Sequence, residues 1–235
     1  MNRAARATAQ MLLLKPAIWG ILSVQVHGLE HLEVVPDDGA FIVVGNHSSH
    51  FDAPLIFGAL PRRLSGRMST AAAADYFFRH WYTAGPTALF FNAFPVDRHS
   101  GTRNRKGLAG QLLGDGVPLL IFPEGTRSRT GGMSQFVPGA AGLSIKHGAP
   151  IVPVALVGAF AAWPAGSSHW VMGRPKVHVV FGSPISPQPG EIAEEFSERM
   201  RRTVSELHDS VAFAYGLPTQ PEMQQAAAIA AKRSE

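Results

Sequence analysis

Cysteine is absent from these 235 residues, and charge is scarce: Asp, Glu, Lys and Arg together make up 16%, against about a quarter in an ordinary soluble chain. Without cysteine there is no disulfide, no thiolate metal site and no cysteine nucleophile, and redox conditions place no limit on compartment. No uninterrupted apolar run reaches the roughly 18 residues that a bilayer-spanning helix needs. The apolar stretch at residues 11–24 is broken by Lys15, Pro16 and Gly20 and has no small-residue cleavage site after a clean apolar core, so a signal peptide is not expected. Four enzyme signatures are also missing. There is no Gly-x-Ser-x-Gly elbow, which excludes the commonest serine hydrolase arrangement. There is no Gly-x4-Gly-Lys-Ser/Thr loop and no Gly-x-Gly-x-x-Gly after a strand, which removes the two usual nucleotide sites. There is no His-Glu-x-x-His pair for a catalytic zinc.

What remains is 46% hydrophobic, enough for a substantial core, with a net charge of +4. A basic balance favours anionic lipid surfaces, acidic carrier proteins or nucleic acid. The basic clusters, Arg62-Arg63 with Arg67 and residues 98–106, are not interleaved with aromatics as in nucleic-acid modules, so no nucleic-acid partner is expected. Arg3, Arg6, Leu12, Leu13, Leu14, Ile18, Trp19 and Ile21 suit either a membrane interface or packing on the protein's own core.

Apolar, β-branched runs at residues 24–30, 40–44, 67–72, 117–122, 151–157 and 176–181 read as strands. Between them, residues 53–60, 100–114, 139–147 and 191–215 read as helices. The last carries a stripe of Ile192, Phe196, Met200, Val204, Leu207 and Val211. Residues 75–82 form a further, aromatic-rich helix and, with residues 89–94, a candidate apolar patch. Strands alternating with helices predict an α/β fold: a single domain with a mostly buried central sheet surrounded by helices. The expected organisation is an N-terminal apolar helical segment at 1–24 with possible membrane-interface contact, a domain at 25–215 and a flexible, frayed tail at 216–235.

Polar groups stand at three predicted strand ends, where open α/β sheets hold their ligands. Gly45-Asn46-His47-Ser48-Ser49-His50-Phe51-Asp52 follows one strand. His47 can move a proton near neutral pH, and Asp52 can fix its tautomer. Taken alone, a loop histidine and a helix-starting aspartate are the plainer reading. His47, His50 and Asp52 could ligate a metal, but no second ligand cluster accompanies them and no metal is expected. Phe122-Pro123-Glu124-Gly125-Thr126-Arg127-Ser128 follows another strand. Arg127 offers a forked donor for phosphate or carboxylate, Gly125 allows close backbone approach, Thr126 adds a hydroxyl, and Glu124 could accept from a substrate or hold Arg127. Arg98, beside Asp97, follows a third. Three such ends on one sheet make a shared pocket.

These segments resemble the four blocks of the glycerolipid acyltransferase family, typified by 1-acylglycerol-3-phosphate acyltransferases. His47 to Asp52 fits the His-x4-Asp block, and Asn92-Ala93-Phe94-Pro95-Val96-Asp97-Arg98 fits the second. Phe122 to Ser128 fits the third almost letter for letter, and Ala149-Pro150-Ile151-Val152-Pro153-Val154 fits the fourth. The second block departs from the family pattern at Asn92 and Pro95.

The resemblance implies transfer of an acyl group from acyl-CoA or acyl-carrier protein to a lysolipid hydroxyl, most readily 1-acyl-glycerol-3-phosphate to give phosphatidic acid. His47 and Asp52 would be catalytic; Arg98, Glu124, Gly125, Thr126 and Arg127 would bind substrate. No cofactor beyond the acyl donor is implied. The expected setting is the cytoplasmic face of the cell membrane, with peripheral contact. Another lipid acceptor (a lyso-ornithine lipid or glycolipid) and an inactive lipid-binding protein on the same scaffold are the alternative readings.

Overall fold

In the computed structural model, which describes residues 8, 10–73, 94–96 and 103–232, the apolar runs become the middle of one sheet. β2 (Ile42–Gly45) and β6 (Ile151–Val157) are buried at every position. Strands covered on both faces carry continuous hydrophobic runs rather than alternation. Between α1 (Lys15–Ile21) and β2 lies β1 (Ser23–His27). After β2 come α2 (Asp52–Ala59), the short α3 (Arg62–Ser65), β3 (Ser69–Ala73), β4 (Phe94–Val96), α4 (Arg103–Gly114) and β5 (Leu119–Ile121). α5 (Gly139–His147) precedes β6. The short α6 (Ala159–Ala162), β7 (Lys176–Phe181), α7 (Ala193–Tyr215) and α8 (Gln220–Lys232) complete the chain.

Among the described residues seven strands form one sheet in the order β1-β7-β6-β2-β5-β3-β4. All neighbours are parallel except β6 and β7. The period of two along each strand sends successive side chains to opposite faces. Val43, Val152, Val154 and Phe181 therefore pack with Ile18 of α1 and Leu55 and Phe57 of α2. Ile42, Val44, Ala155 and Val157 pack with Ala140 and Ala141 of α5 and with Phe196, Met200 and Val204 of α7. Because β2, β5, β3 and β4 run the same way, their carboxyl ends share one edge of the sheet. That edge receives the loops carrying the His47–Asp52 and Glu124–Arg127 constellations.

Several boundaries differ from the sequence-based expectation. The first strand stops at His27 rather than continuing to residue 30. Gly28 turns the chain with φ 73°, and a Cβ there would lie 1.9 Å from the Phe181 carbonyl oxygen; a 3-10 turn, Leu29–Leu32, follows. Ile192, expected on the buried stripe, is exposed just ahead of α7. Within 216–235 the chain forms α8. Gly216 closes α7 in the left-handed region. The new helix then starts on local acceptors, with Thr219 donating its N–H to Glu222 and Gln220 donating its N–H to Asp209. The second bond depends on α7 and α8 being neighbours, which composition does not reveal. The helix expected at residues 75–82 and the apolar patch it forms with residues 89–93 lie outside the described residues. No helix among the described residues is long and apolar enough to cross a membrane.

Candidate active site

β2 ends where Asn46 leaves the strand, and its side chain takes over the pairing. Asn46 Nδ2 donates to the Leu156 carbonyl at 3.0 Å, and the Leu156 N–H donates to Asn46 Oδ1 at 2.8 Å. The next residue, His47, is thereby delivered to a fixed place beside β6. Asp52, fully buried, opens α2. Its Oδ2 accepts the backbone N–H of Ser48 at 2.7 Å and of Ser49 at 2.8 Å. The same oxygen lies 2.7 Å from His47 Nδ1. Two of these donors are unambiguous amides, so Oδ2 acts as an acceptor and Nδ1 is the protonated ring nitrogen. Nε2 then carries the lone pair of a base. The imidazole also stacks on Phe122, with centroids 4.1 Å apart and planes 13° apart. Its side chain is 20% exposed, against 0% for Asp52.

The loop after β5 grips His47 by its backbone. The His47 N–H donates to Glu124 Oε1 at 2.7 Å, and the Ser128 N–H donates to the His47 carbonyl at 2.8 Å. Glu124 Oε2 accepts the Ser134 N–H at 2.9 Å. Both Glu124 oxygens are thus engaged by the protein's own backbone, and the carboxyl is buried. Burial pushes it up to about 7, outweighing the two amide donors that favour its charged form. Gly125 and Thr126 are exposed at the tip of this loop. Arg127 Nη1 donates to the His50 ring at Nδ1. His50 lies tilted against Trp163, centroids 4.6 Å apart. Burial first, and then the Arg127 charge, hold His50 below its ordinary value, so it is the neutral acceptor that Arg127 needs.

The structure therefore joins His47, Asp52, Glu124 and Arg127 at one edge, with Gly125 and Thr126 on the loop between. β4 ends at Val96, two residues before Arg98, which lies outside the described residues. Sequence reasoning gave no role to Asn46, Ser134 or Trp163 and only a supporting one to His50. Asn46 adjoins a recognisable motif and could have been flagged; Trp163 and Ser134 reach the site only through the fold. Among the described residues no group of three or more His, Asp or Glu is arranged to hold a metal ion.

Comparison with known proteins agrees with this geometry. The family model described as Acyltransferase matches residues 23–157. A 1-acyl-sn-glycerol-3-phosphate acyltransferase of Chlamydomonas reinhardtii is 34% identical over 184 residues, 77% of this chain and 52% of that protein. The 1-acyl-sn-glycerol-3-phosphate acyltransferase alpha of Bos taurus is 26% identical over 197 residues, 83% of this chain and 65% of that protein. The chain spans about half the length of the curated relatives it matches first. The crystal structure of the 1-acyl-sn-glycerophosphate acyltransferase PlsC from Thermotoga maritima superposes with a TM-score of 0.68 at 26% identity, covering 85% of this chain and 77% of that one. With the family match spanning the strands and loops that build the His47–Asp52 site, this chain belongs to the acyltransferase family.

Proposed function

We propose that this protein is an O-acyltransferase that moves a fatty acyl group from acyl-CoA or acyl-carrier protein to the free hydroxyl of a lysophospholipid. The preferred acceptor is 1-acyl-glycerol-3-phosphate, giving phosphatidic acid in phospholipid biosynthesis. The observation that carries the reading is the 2.7 Å contact between His47 Nδ1 and Asp52 Oδ2, which leaves Nε2 as a base on the exposed side of the dyad. Nε2 removes the acceptor's hydroxyl proton as the oxygen attacks the thioester carbonyl. The C–S bond then breaks, the ester forms, and the imidazolium returns its proton to the thiolate. Asp52 stabilises the transient imidazolium. Such a base contributes about 10²- to 10⁴-fold. No covalent acyl-enzyme and no cofactor are called for, and the acyl donor is the co-substrate. Arg127, with Arg98, binds the acceptor phosphate; its guanidinium is oriented by His50.

The acceptor is a lipid, and the protein meets it as a peripheral visitor to the cytoplasmic face of the membrane. Trp170, Val171 and Met172 project from the excursion that carries Trp163, with Met172 80% exposed. Met11, Leu12 and Leu13 are exposed as well, with Leu12 at 64%. Arg174 Nη2 donates to the Trp19 carbonyl at 3.0 Å and ties the excursion to α1. Exposed apolar side chains near cations suit an anionic lipid surface.

The deciding experiment follows CoA release from acyl-CoA, with purified protein on vesicles and lysophosphatidic acid as acceptor. Release that depends on the lysolipid and disappears in His47→Ala is the expected result. Turnover only with lyso-ornithine lipids or glycolipids would move the acceptor. No turnover with any lysolipid and either donor, with binding retained, would leave a lipid-binding protein.

A further inference from the structure

Helix α8 lies outside the 23–157 family match, yet its first turn reaches the candidate site. Gln220 is 1% exposed, and its Oε1 accepts the Met133 backbone N–H at 2.6 Å. One turn later Gln224 Nε2 donates to the Met133 carbonyl at 3.4 Å. One helix thus holds both backbone groups of one loop residue. The residue after it, Ser134, donates its N–H to Glu124 Oε2, and Glu124 Oε1 takes the N–H of His47. A continuous path runs from Gln220 through Met133, Ser134 and Glu124 to the base.

The Gln220 end of this path is anchored. The Gln220 N–H donates to Asp209 Oδ1 at 2.7 Å, and the same oxygen lies 3.0 Å from Nδ1 of the buried His208. The loop is packed tightly between α6 and α8: a Cβ on Gly131 would lie 2.9 Å from the Phe160 ring of α6 and 3.2 Å from Met223 Sδ of α8. Packing alone does not account for a glutamine here. Gln220 Nε2 is buried and without a hydrogen-bond partner among the described residues, an orphan that an apolar side chain would avoid. What the amide supplies is the acceptor for Met133.

We infer that α8 is a brace for the acyl-transfer site, and that Gln220 is a positioning residue setting the 133–134 backbone so that Ser134 reaches the carboxylate that holds His47. The inference rests on His47 acting as the base, as proposed above. Its structural part can be read without substrate, from the titration of Glu124. The groups that act on that carboxyl are the Ser134 and His47 amides and the Ser134 hydroxyl, which favour its charged form, and the Asp52 carboxylate, which opposes it. Loosening Ser134 therefore moves the titration upward.

The test compares Gln220→Met, which keeps length but loses the acceptor, with Gln220→Glu, which keeps it. The Glu124 carboxyl is followed by carbon NMR across pH, and turnover is measured in parallel. In Gln220→Met the Glu124 midpoint rises by about one pH unit, and kcat at pH 7 falls about 5-fold as the ionised fraction drops, with KM for the acyl donor unchanged. Gln220→Glu stays near the wild-type profile. Should Gln220→Met fail to fold, Gln224→Met is expected to give a smaller upward shift. An unmoved Glu124 titration in the folded variants overturns the brace, even if thermal stability falls. Wild-type protein without turnover would sink the catalytic reading, while the titration would still decide the brace.

Discussion

Asn46 bonds both backbone groups of Leu156, a residue 110 positions away, with its single side-chain amide. It thereby continues the pairing of β2 with β6 past the point where the backbone turns off toward His47. Replacing Asn46 by Ala leaves a buried N–H and a buried C=O without partners. The expected loss is about 2–4 kcal/mol. Urea unfolding should show a lower midpoint at unchanged m value, and kcat should fall because His47 is no longer fixed at its start. A midpoint within error of wild type would refute the role given to this amide.

His47→Ala should lower kcat by about 10²- to 10⁴-fold with little change in KM for either substrate. Asp52→Asn should cost nearly as much. An asparagine oxygen can still accept one amide, but it cannot stabilise the imidazolium. Steady-state CoA release measures both, and a large KM effect with kcat retained would assign the pair to binding instead.

Arg127→Ala should raise KM about 10- to 30-fold for a phosphate-bearing acceptor, consistent with a charge-assisted contact of roughly 1.5–2 kcal/mol. A phosphate-free acceptor should be nearly indifferent. The Arg127 charge also helps hold His50 low, so the His50 titration, followed by NMR, should move upward in the same variant. Equal KM changes for both acceptor types would remove Arg127 from the phosphate site. Arg98→Ala provides the parallel measurement.

Glu124 makes stability depend on pH in an unusual direction. Its ordinary value is 4.5, and burial raises it to about 7 in the folded protein. Between these values the unfolded chain has lost its proton and the folded chain still holds it. The Glu124 contribution to stability is therefore fully present below that window and is lost as pH rises through it, by about 3 kcal/mol in full. Glu124→Gln should flatten the decline between pH 5 and 8 in denaturant titrations. Stability lost as pH falls below about 6.5 should persist in the variant, because half-buried His50 and buried His178 and His208 are held low and resist protonation in the fold. A difference in stability between wild type and Glu124→Gln that does not decline from pH 5 to 8 would contradict the Glu124 assignment.

Changing Trp170, Val171 and Met172 together to Ser should weaken flotation with anionic vesicles at least 10-fold while leaving the thermal midpoint unchanged. These three side chains are partly or largely exposed, so they contribute more to a lipid surface than to the core. Undiminished flotation would shift the lipid contact to the N-terminal segment alone.

Local chemistry makes much of the molecule legible in the order of its residues. The helix at 139–147 and the strands at 151–157 and 176–181 fall where hydrophobic period and punctuating Gly and Pro place them. His47 and Asp52 can be paired because they lie only five positions apart, so their meeting needs a strand end and one helical turn. The Glu124–Arg127 loop is visible as chemistry but not as geometry. Its glutamate could have faced a substrate or an arginine, and only the fold shows its oxygens taken by the amides of His47 and Ser134.

The sequence by itself determined the strand and helix periods, the α/β class and the residues able to move a proton or grip an anion, since these depend on neighbours a few positions apart. Tertiary structure alone decided that Asn46 meets Leu156, that Trp163 lies against His50 and that Gln220 reaches Met133. These contacts join segments 87 to 113 residues apart, and their distances follow from sheet order and helix packing, which no local window contains.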